Sequence, residues 1–273
     1  YRLYPESALP WLARWVAYNV CPLVWLGYMF FIEGLLVWQT GSSPIRSRPN
    51  HFWLLCGASV FIWCVFDAIN FYLIDAWIYI GMQRTFPLRL WGYLIAFAAI
   101  VPGMLLSGQA LMNAGAFDWA RGRKWAMPGW LPWASLVVGA AMFAWPLIHW
   151  DPITNFTLWT SLVFLLDPIN YWRGRPSMLR DFSNGWYGRM LACMAGGAVC
   201  GLLWEFWNYY ALSKWVYRLP FFGELENIRY FEMPVIGFLG FLPFGKECWV
   251  MWQSMRMGLD GLVEPLPDEK AIL

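Results

Sequence analysis

Apolar runs, each about the length of a bilayer-crossing helix, alternate with short polar connections along almost the whole chain. A helix needs about 20 mostly apolar residues to cross the hydrocarbon core. Seven segments meet that length: 20–38, 52–74, 91–112, 131–150, 153–172, 190–212 and 232–253. Residues 8–19 (ALPWLARWVAYN), with Arg14 and three aromatics, read as an interfacial helix before the first span, an eighth crossing being the alternative. The expected fold class is an all-α integral membrane protein.

Internal similarity organises these segments. Trp25, Glu33 and Trp38 match Trp159, Asp167 and Trp172 at a constant offset of 134. Further along, FDAINFYLIDAWIY (66–79) aligns with WEFWNYYALSKWVY (204–217) at an offset of 138, pairing Asp67 with Glu205, Asn70 with Asn208, Trp77 with Trp215 and Tyr79 with Tyr217. The third helices align through Pro102 and Pro243. Three helices, a linking helix and three more place both halves in the same membrane orientation, as parallel repeats about an axis along the normal. The expected organisation is an N-terminal segment 1–19, a first repeat 20–112, a linker and linking helix 113–152, a second repeat 153–253 and a loose cytoplasmic tail 254–273.

Composition agrees with a lipid solvent. Only 13% of the 273 residues are charged, 60% are hydrophobic, and 22 Trp, 20 Phe and 13 Tyr make one residue in five aromatic. Soluble domains carry about 25% charged residues. Net charge +2 gives no reason to expect nucleic acid. Arg46, Arg48, Arg121, Arg123, Lys124, Arg173, Arg175 and Arg180 fall on one side, which the positive-inside rule makes cytoplasmic, with the N-terminus outside in a prokaryotic cytoplasmic membrane. The opposite loops hold Arg84 and Arg89, or the self-cancelling set Lys214, Arg218, Glu224, Glu226 and Arg229. The chain opens on Tyr1 rather than Met, which leaves room for a missing or processed N-terminal piece, and it carries no signal-peptide cleavage pattern. Two histidines, His51 and His149, cannot ligate paired bis-histidine haems or a histidine-rich di-iron centre, and no metal site is expected. The six cysteines lie in apolar stretches without a CxxC and read as small buried hydrophobes.

Ionisable groups inside spans are costly and mark candidate sites. One layer, some 20 Å below the outer surface at about 1.5 Å per residue, holds Glu33, Asp167, Lys246 and Glu247, and is expected to be an ion-paired clasp between the halves, a proton or ion path being the sharper alternative. A second layer, nearer the outside, holds Asp67 with Asn70, Glu205 with Asn208, and Glu232. Each acid and amide are spaced i, i+3 and share a helix face. There the plainer reading is satisfied helix contacts beneath an interfacial belt of Trp and Tyr. The first half has Trp91 and Leu106 near where the second has Glu232 and Glu247, so the second half carries the extra acids. The stretch EMPVIGFLGFLPFGKE, with Pro234, Gly237, Gly240, Pro243 and Gly245, fits either a kinked binding wall or a close helix crossing.

The order Trp-Glu, then Trp-Val-Tyr some ten residues later, a glycine in the next outer loop and a proline-containing acidic approach to the next helix resembles the three-helix repeat of the membrane-integral lycopene cyclases of fungi, archaea and some bacteria. Trp204, Glu205, Trp215, Tyr217, Gly223, Glu232 and Pro234 carry the resemblance, with Asp67, Trp77 and Tyr79 as first-half counterparts. It covers most of residues 20–253. Glu232 here precedes Pro234, with Val235 and Ile236 following, where the family has paired acids directly after the proline. The resemblance implies cyclisation of a polyene end group: a buried carboxylic acid protonates a double bond, aromatic faces stabilise the cation and a second carboxylate removes a proton. Glu205 and Glu232 would be acid and base, with Asp67 the first-half counterpart. Asn208 (Asn70 in the first half) would orient an acid, and Trp204, Trp215 and Tyr217 would line the cavity.

No cofactor is required by that route, and a bound carotenoid, quinone or lipid is compatible with it. A non-catalytic subunit or lipid-binding scaffold of a larger membrane complex, with membrane lipids and other subunits as partners, is the competing expectation. Weaker alternatives are a retinal protein using Lys246, which the adjacent Glu247 disfavours, and a transporter, which the parallel repeats disfavour.

Overall fold

In the computed structural model the described residues are 10–149, 157–218, 227–266 and 271–273. Residues 1–9, the start of the fifth expected span, Gly223, Glu224 and Glu226 lie outside them. The fold is mostly helical. Trp11–Tyr18 forms α1, Val20–Thr40 α2, Pro44–Ser47 α3, Pro49–Ile69 α4, Phe86–Asn113 α5, Trp130–Ile148 α6, Thr157–Trp172 α7, Met178–Ser183 α8, Gly188–Tyr210 α9 and Phe241–Met255 α10. Five are long and apolar enough to cross a membrane: α2, α4 with the π-helical turn that extends it to Ile74, α5, α6 and α9. The protein is an integral membrane protein.

Local sequence explains the element ends. Gly41, at φ 78, takes the left-handed conformation that stops α2. Pro49 opens α4 at a position where its missing N–H is no loss, and Glu264, far away in the chain, accepts from the backbone N–H groups of Asn50 (3.2 Å) and His51 (2.8 Å). Partial desolvation, which acts upwards on the Glu264 carboxyl, is outweighed by these N–H donors, so it lies below the usual carboxylate value.

Close helix crossings place the rest. On α9, Gly196 and Gly197 face opposite neighbours: a Cβ on Gly196 would lie 2.2 Å from the Met104 carbonyl oxygen of α5, and one on Gly197 would lie 2.3 Å from the Phe241 carbonyl oxygen of α10. Glycine here lets two backbones approach α9 from two sides.

Four expectations change. The span expected at 232–253 is a β-hairpin, Arg229–Tyr230 (β3) and Met233–Pro234 (β4), then a 3₁₀ segment Val235–Gly240, then the 15-residue α10. At about 1.5 Å per residue, α10 alone is some 22 Å long, short of the hydrocarbon thickness. Pro234 and Pro243 lack the N–H a longer helix would use. The fold is also not purely α: Trp77–Ile80 (β1) and Lys214–Tyr217 (β2), expected as belt residues, pair antiparallel with Trp77 opposite Tyr217 and Tyr79 opposite Trp215. Residues 271–273 are buried rather than a loose tail. Gln109 Oε1 accepts from the Ile272 N–H at 2.8 Å, and Arg48 donates to the Leu273 main-chain oxygen at 2.7 Å. Lastly, Cys64 is exposed, although Cys21, Cys193, Cys200 and Cys248 are buried; all six are unbridged.

Candidate functional site

The site is organised by two asparagines. Asn208, in the last turn of α9, uses both ends of its amide on one residue of β2: Nδ2 donates to the Trp215 carbonyl oxygen at 2.9 Å, and Oδ1 accepts from the Trp215 N–H at 3.0 Å. Asn70 does the same below β1, donating to the Trp77 oxygen (2.8 Å) and accepting from the Ala76 (2.8 Å) and Trp77 (3.1 Å) N–H groups. Each amide acts as one residue of a strand ladder and fixes the chain that leaves its helix. In the first half this needs a sharp reversal, which the π turn Asn70–Ile74 and Asp75 at φ 52 supply.

Two residues beyond each tryptophan comes a tyrosine that reaches back to the acid on the preceding helix. The Tyr217 hydroxyl donates to Glu205 Oε1 at 2.7 Å, and the Trp215 indole donates to Tyr217 (2.9 Å) and to Glu205 (3.3 Å). Tyr79 donates to Asp67 at 2.8 Å and accepts from the Trp63 indole at 3.4 Å. Burial first, and then the neighbouring carboxylate, holds both phenols well above their ordinary value. Glu205 is fully buried, and its Oε2 meets no donor.

Between the halves lies a cavity of about 460 Å³, in the size range of small-molecule sites. Its wall takes Trp63 from α4, Trp77 and Tyr79 from β1, Trp159 from α7, Trp204 from α9, Trp215 and Tyr217 from β2, and Met233 to Phe244 through the hairpin, the 3₁₀ segment and α10. None of the lining residues is charged. The two acids stand behind the tyrosines, one hydroxyl removed from the space. Gly237 and Gly240 line the cavity while Gly245 packs against Cys193 of α9, so the proline- and glycine-rich stretch is both a wall and a crossing.

The other predicted residues are held differently. Glu232 forms an ion pair with Lys214 and is half-buried at the hairpin, within electrostatic reach of Glu205, while Asp67 is the carboxylate that a tyrosine holds as Tyr217 holds Glu205. In the expected ion-paired layer, Lys246 lies within electrostatic reach of Asp167 and Glu247, although among the described residues no direct ion pair joins it to Glu33, Asp167 or Glu247. Glu33 accepts from the Ile45 N–H (3.4 Å) at the start of α3. Asp167 accepts from Met178 (2.7 Å) and Leu179 (3.0 Å) at the start of α8. Both acids cap the short helix that follows their own, where exposed N–H groups favour a carboxylate. Glu247 is buried with neither oxygen bonded. Among the described residues no cluster of His, Cys, Asp and Glu could hold a metal.

Sequence reasoning missed Trp63, Trp159 and Phe244 as site residues. Trp159 had a signal, its match to Trp25 across the repeat. Trp63 and Phe244 had none, being aromatic residues in an aromatic chain.

Compared with protein-family models, curated proteins and solved structures, the chain matches none.

Proposed function

We propose that the protein holds an isoprenoid or lipid in the aromatic cavity and performs acid–base chemistry on it, as a cyclase of polyene end groups would. The observation that carries this reading is the pairing of a wholly uncharged aromatic cavity with two carboxylates, Glu205 and Asp67, each one tyrosine hydroxyl from it. Cyclisation needs a proton donor and a proton acceptor in a dry site, and aromatic faces for the cation between the two steps.

The reading includes two parallel three-helix repeats, with α10 and its 3₁₀ segment making the last of seven crossings. In each half the third long helix packs on the other two, α5 on α2 and α4, α10 on α7 and α9. Ser43 and Ile45 correspond to Ser177 and Leu179 at the same offset of 134 that relates Glu33 to Asp167, and both acids bind those loops. Arg48 bonds Leu273, Arg175 pairs with Asp260, and both arginines lie within electrostatic reach of Arg256; the end they share is assigned to the cytoplasm.

The test is expression in a lycopene-accumulating bacterium, with pigments separated by chromatography. Monocyclic or bicyclic carotenoid from the wild type, lost in Glu205→Gln, is the expected result. Unchanged lycopene with the wild-type protein confirmed in the membrane overturns the cyclase reading. A second reading, a subunit of a larger complex, is favoured by α6. It packs chiefly on α7 and leaves Trp130, Trp133, Val137 and Trp145 bare, a face that lipid or another subunit would cover.

A further inference from the structure

The aromatic cavity has a polar neighbour. A second cavity, of about 70 Å³, lies at the end of the bundle where α2 and α5 begin and β1 and β2 pair. Its wall includes Asn19, Gln83, Arg89, Tyr93, Ser213 and Lys214, with Gln83 donating to Asn19 at 3.2 Å and Lys214 paired with Glu232. A water needs roughly 10–15 Å³ of space and two to four polar partners, so this wall suits a few waters as the aromatic one does not. Tyr93 has both Arg89 and Asp67 within electrostatic reach. The two cavities share two wall residues, Tyr79 and Trp215, which differ in what they can do with a proton. The Tyr79 hydroxyl donates to Asp67 and accepts from the Trp63 indole, so it can take one proton as it gives another. The Trp215 indole can only donate, and it already donates to Tyr217 and Glu205. The acids differ in the same sense: Asp67 is half-buried and Glu205 fully buried.

We infer that the second cavity is a water site that serves as the proton inlet of the aromatic one, open to Asp67 through Tyr79 and closed to Glu205 by Trp215. The inference rests on the acid–base reading above and deepens it. Cyclisation consumes no net proton. One carboxyl gives the proton of the new C–H bond, and the other takes the proton released when the cation becomes an alkene, so each turnover leaves a proton to be moved between the acids. Through the inlet, Asp67 exchanges that proton with water: a water that gives one up becomes hydroxide, which the Arg89 cation on the same wall favours. Tyr79 acts electrostatically on Tyr217, which makes it the step from Asp67 towards Tyr217 and Glu205.

The experiment is carbon NMR of the full chain in nanodiscs, in equal parts of H2O and D2O. Tyrosine labelled at Cζ is introduced at Tyr79 or at Tyr217 alone, as a photocaged residue then uncaged, which keeps the wild-type sequence. A hydroxyl that exchanges slowly gives separate Cζ lines for O–H and O–D, and one that exchanges fast gives a single averaged line. Tyr79 should give the single line and Tyr217 the pair. In Gly92→Val, whose added Cβ meets only Asn19, at 3.6 Å, the side chain fills the second cavity and the Tyr79 line should split. A split Tyr79 line in the wild type overturns the inlet, and a single Tyr217 line overturns the seal. An unsplit Tyr79 line in folded Gly92→Val brings the water in by another way and overturns the role of the cavity. These line patterns need no turnover, so an absence of cyclised carotenoid overturns the cyclase reading without deciding the inlet, which the lines alone decide.

Discussion

The most informative single residues are acids whose surroundings decide what they do. Asp181, on α8 outside the spans, is buried against Arg189 at 3.1 Å. Burial pushes its carboxyl up to about 7, more than the Arg189 and Arg180 charges draw it down. A carboxyl raised in the folded state favours folding while protonated. Its ionisation therefore costs stability as pH climbs from the unfolded value, 3.8, through the folded one, about 7. Thermal unfolding in detergent should accordingly show stability falling by a few kcal/mol between about pH 4 and 7, and Asp181→Asn should flatten that slope. A slope unchanged in the variant would assign it to other groups. At this scale the sequence was partly legible. The repeat marked Glu33, Asp167, Asp67 and Glu205 as paired positions, because one chemistry kept at one offset is visible in letters. It could not say that the first pair caps backbone and the second meets tyrosines, since both outcomes place an acid in a span. Nor could spacing reveal that Lys214 takes Glu232, because the hairpin that brings them together has no periodic signature.

Among the elements, α9 is the axis about which the others are arranged. Its glycines admit α5 on one side and α10 on the other, closer than any side chain allows. Gly197→Ala places a methyl group against the Phe241 carbonyl and the Gly245 backbone, at 2.3 and 3.0 Å, where only helix displacement relieves it. The expected loss is about 1–3 kcal/mol or more, read as a lower midpoint of thermal unfolding. Gly34→Ala on α2, which meets nothing within 4 Å, should be neutral or slightly stabilising. Equal effects at the two positions would refute the close crossing. Apolar runs disclosed α2, α4, α5, α6 and α9 to within a few residues, because length and hydrophobicity are all a simple span requires. They failed for 232–253, where the same composition serves a hairpin, a 3₁₀ segment and a short helix. The signals were present in Pro234, Gly237, Gly240 and Pro243, and breakers of that density outweigh the apolar average.

For the molecule as a whole, the cavity lies where the helices meet unevenly, which the pattern of apolar runs does not display. Long contact runs between α5 and α9, whereas α4 and α10, which a strict two-fold would bring together in the same way, barely meet. The opening is walled by the 3₁₀ segment and bridged by the β1–β2 ladder, the only paired strands among the described residues that join residues 77–80 to the second half. The ladder thus works as a staple across the gap: it sets the spacing of Tyr79 and Tyr217, and with it the position of both acids' partners. Ile78 and Val216 are opposite one another in the register. Opposed residues of antiparallel strands have Cα atoms about 4.5–5.5 Å apart, within the range a disulfide spans. The double variant Ile78→Cys with Val216→Cys, in a background where exposed Cys64 is Ser, should oxidise to an intramolecular bond. Cleavage of the chain between the halves would then release no separate fragments until reductant is added. Closing so long a loop should raise stability by about 2–4 kcal/mol. If the cysteines cross-link only between molecules, or not at all, the two strands are not neighbours and the cavity loses the wall that places its tyrosines. If the bond forms and ligand binding persists, the staple is a fixed part of the site, and access to the cavity must run past the 3₁₀ segment, where Leu239 is exposed on its edge.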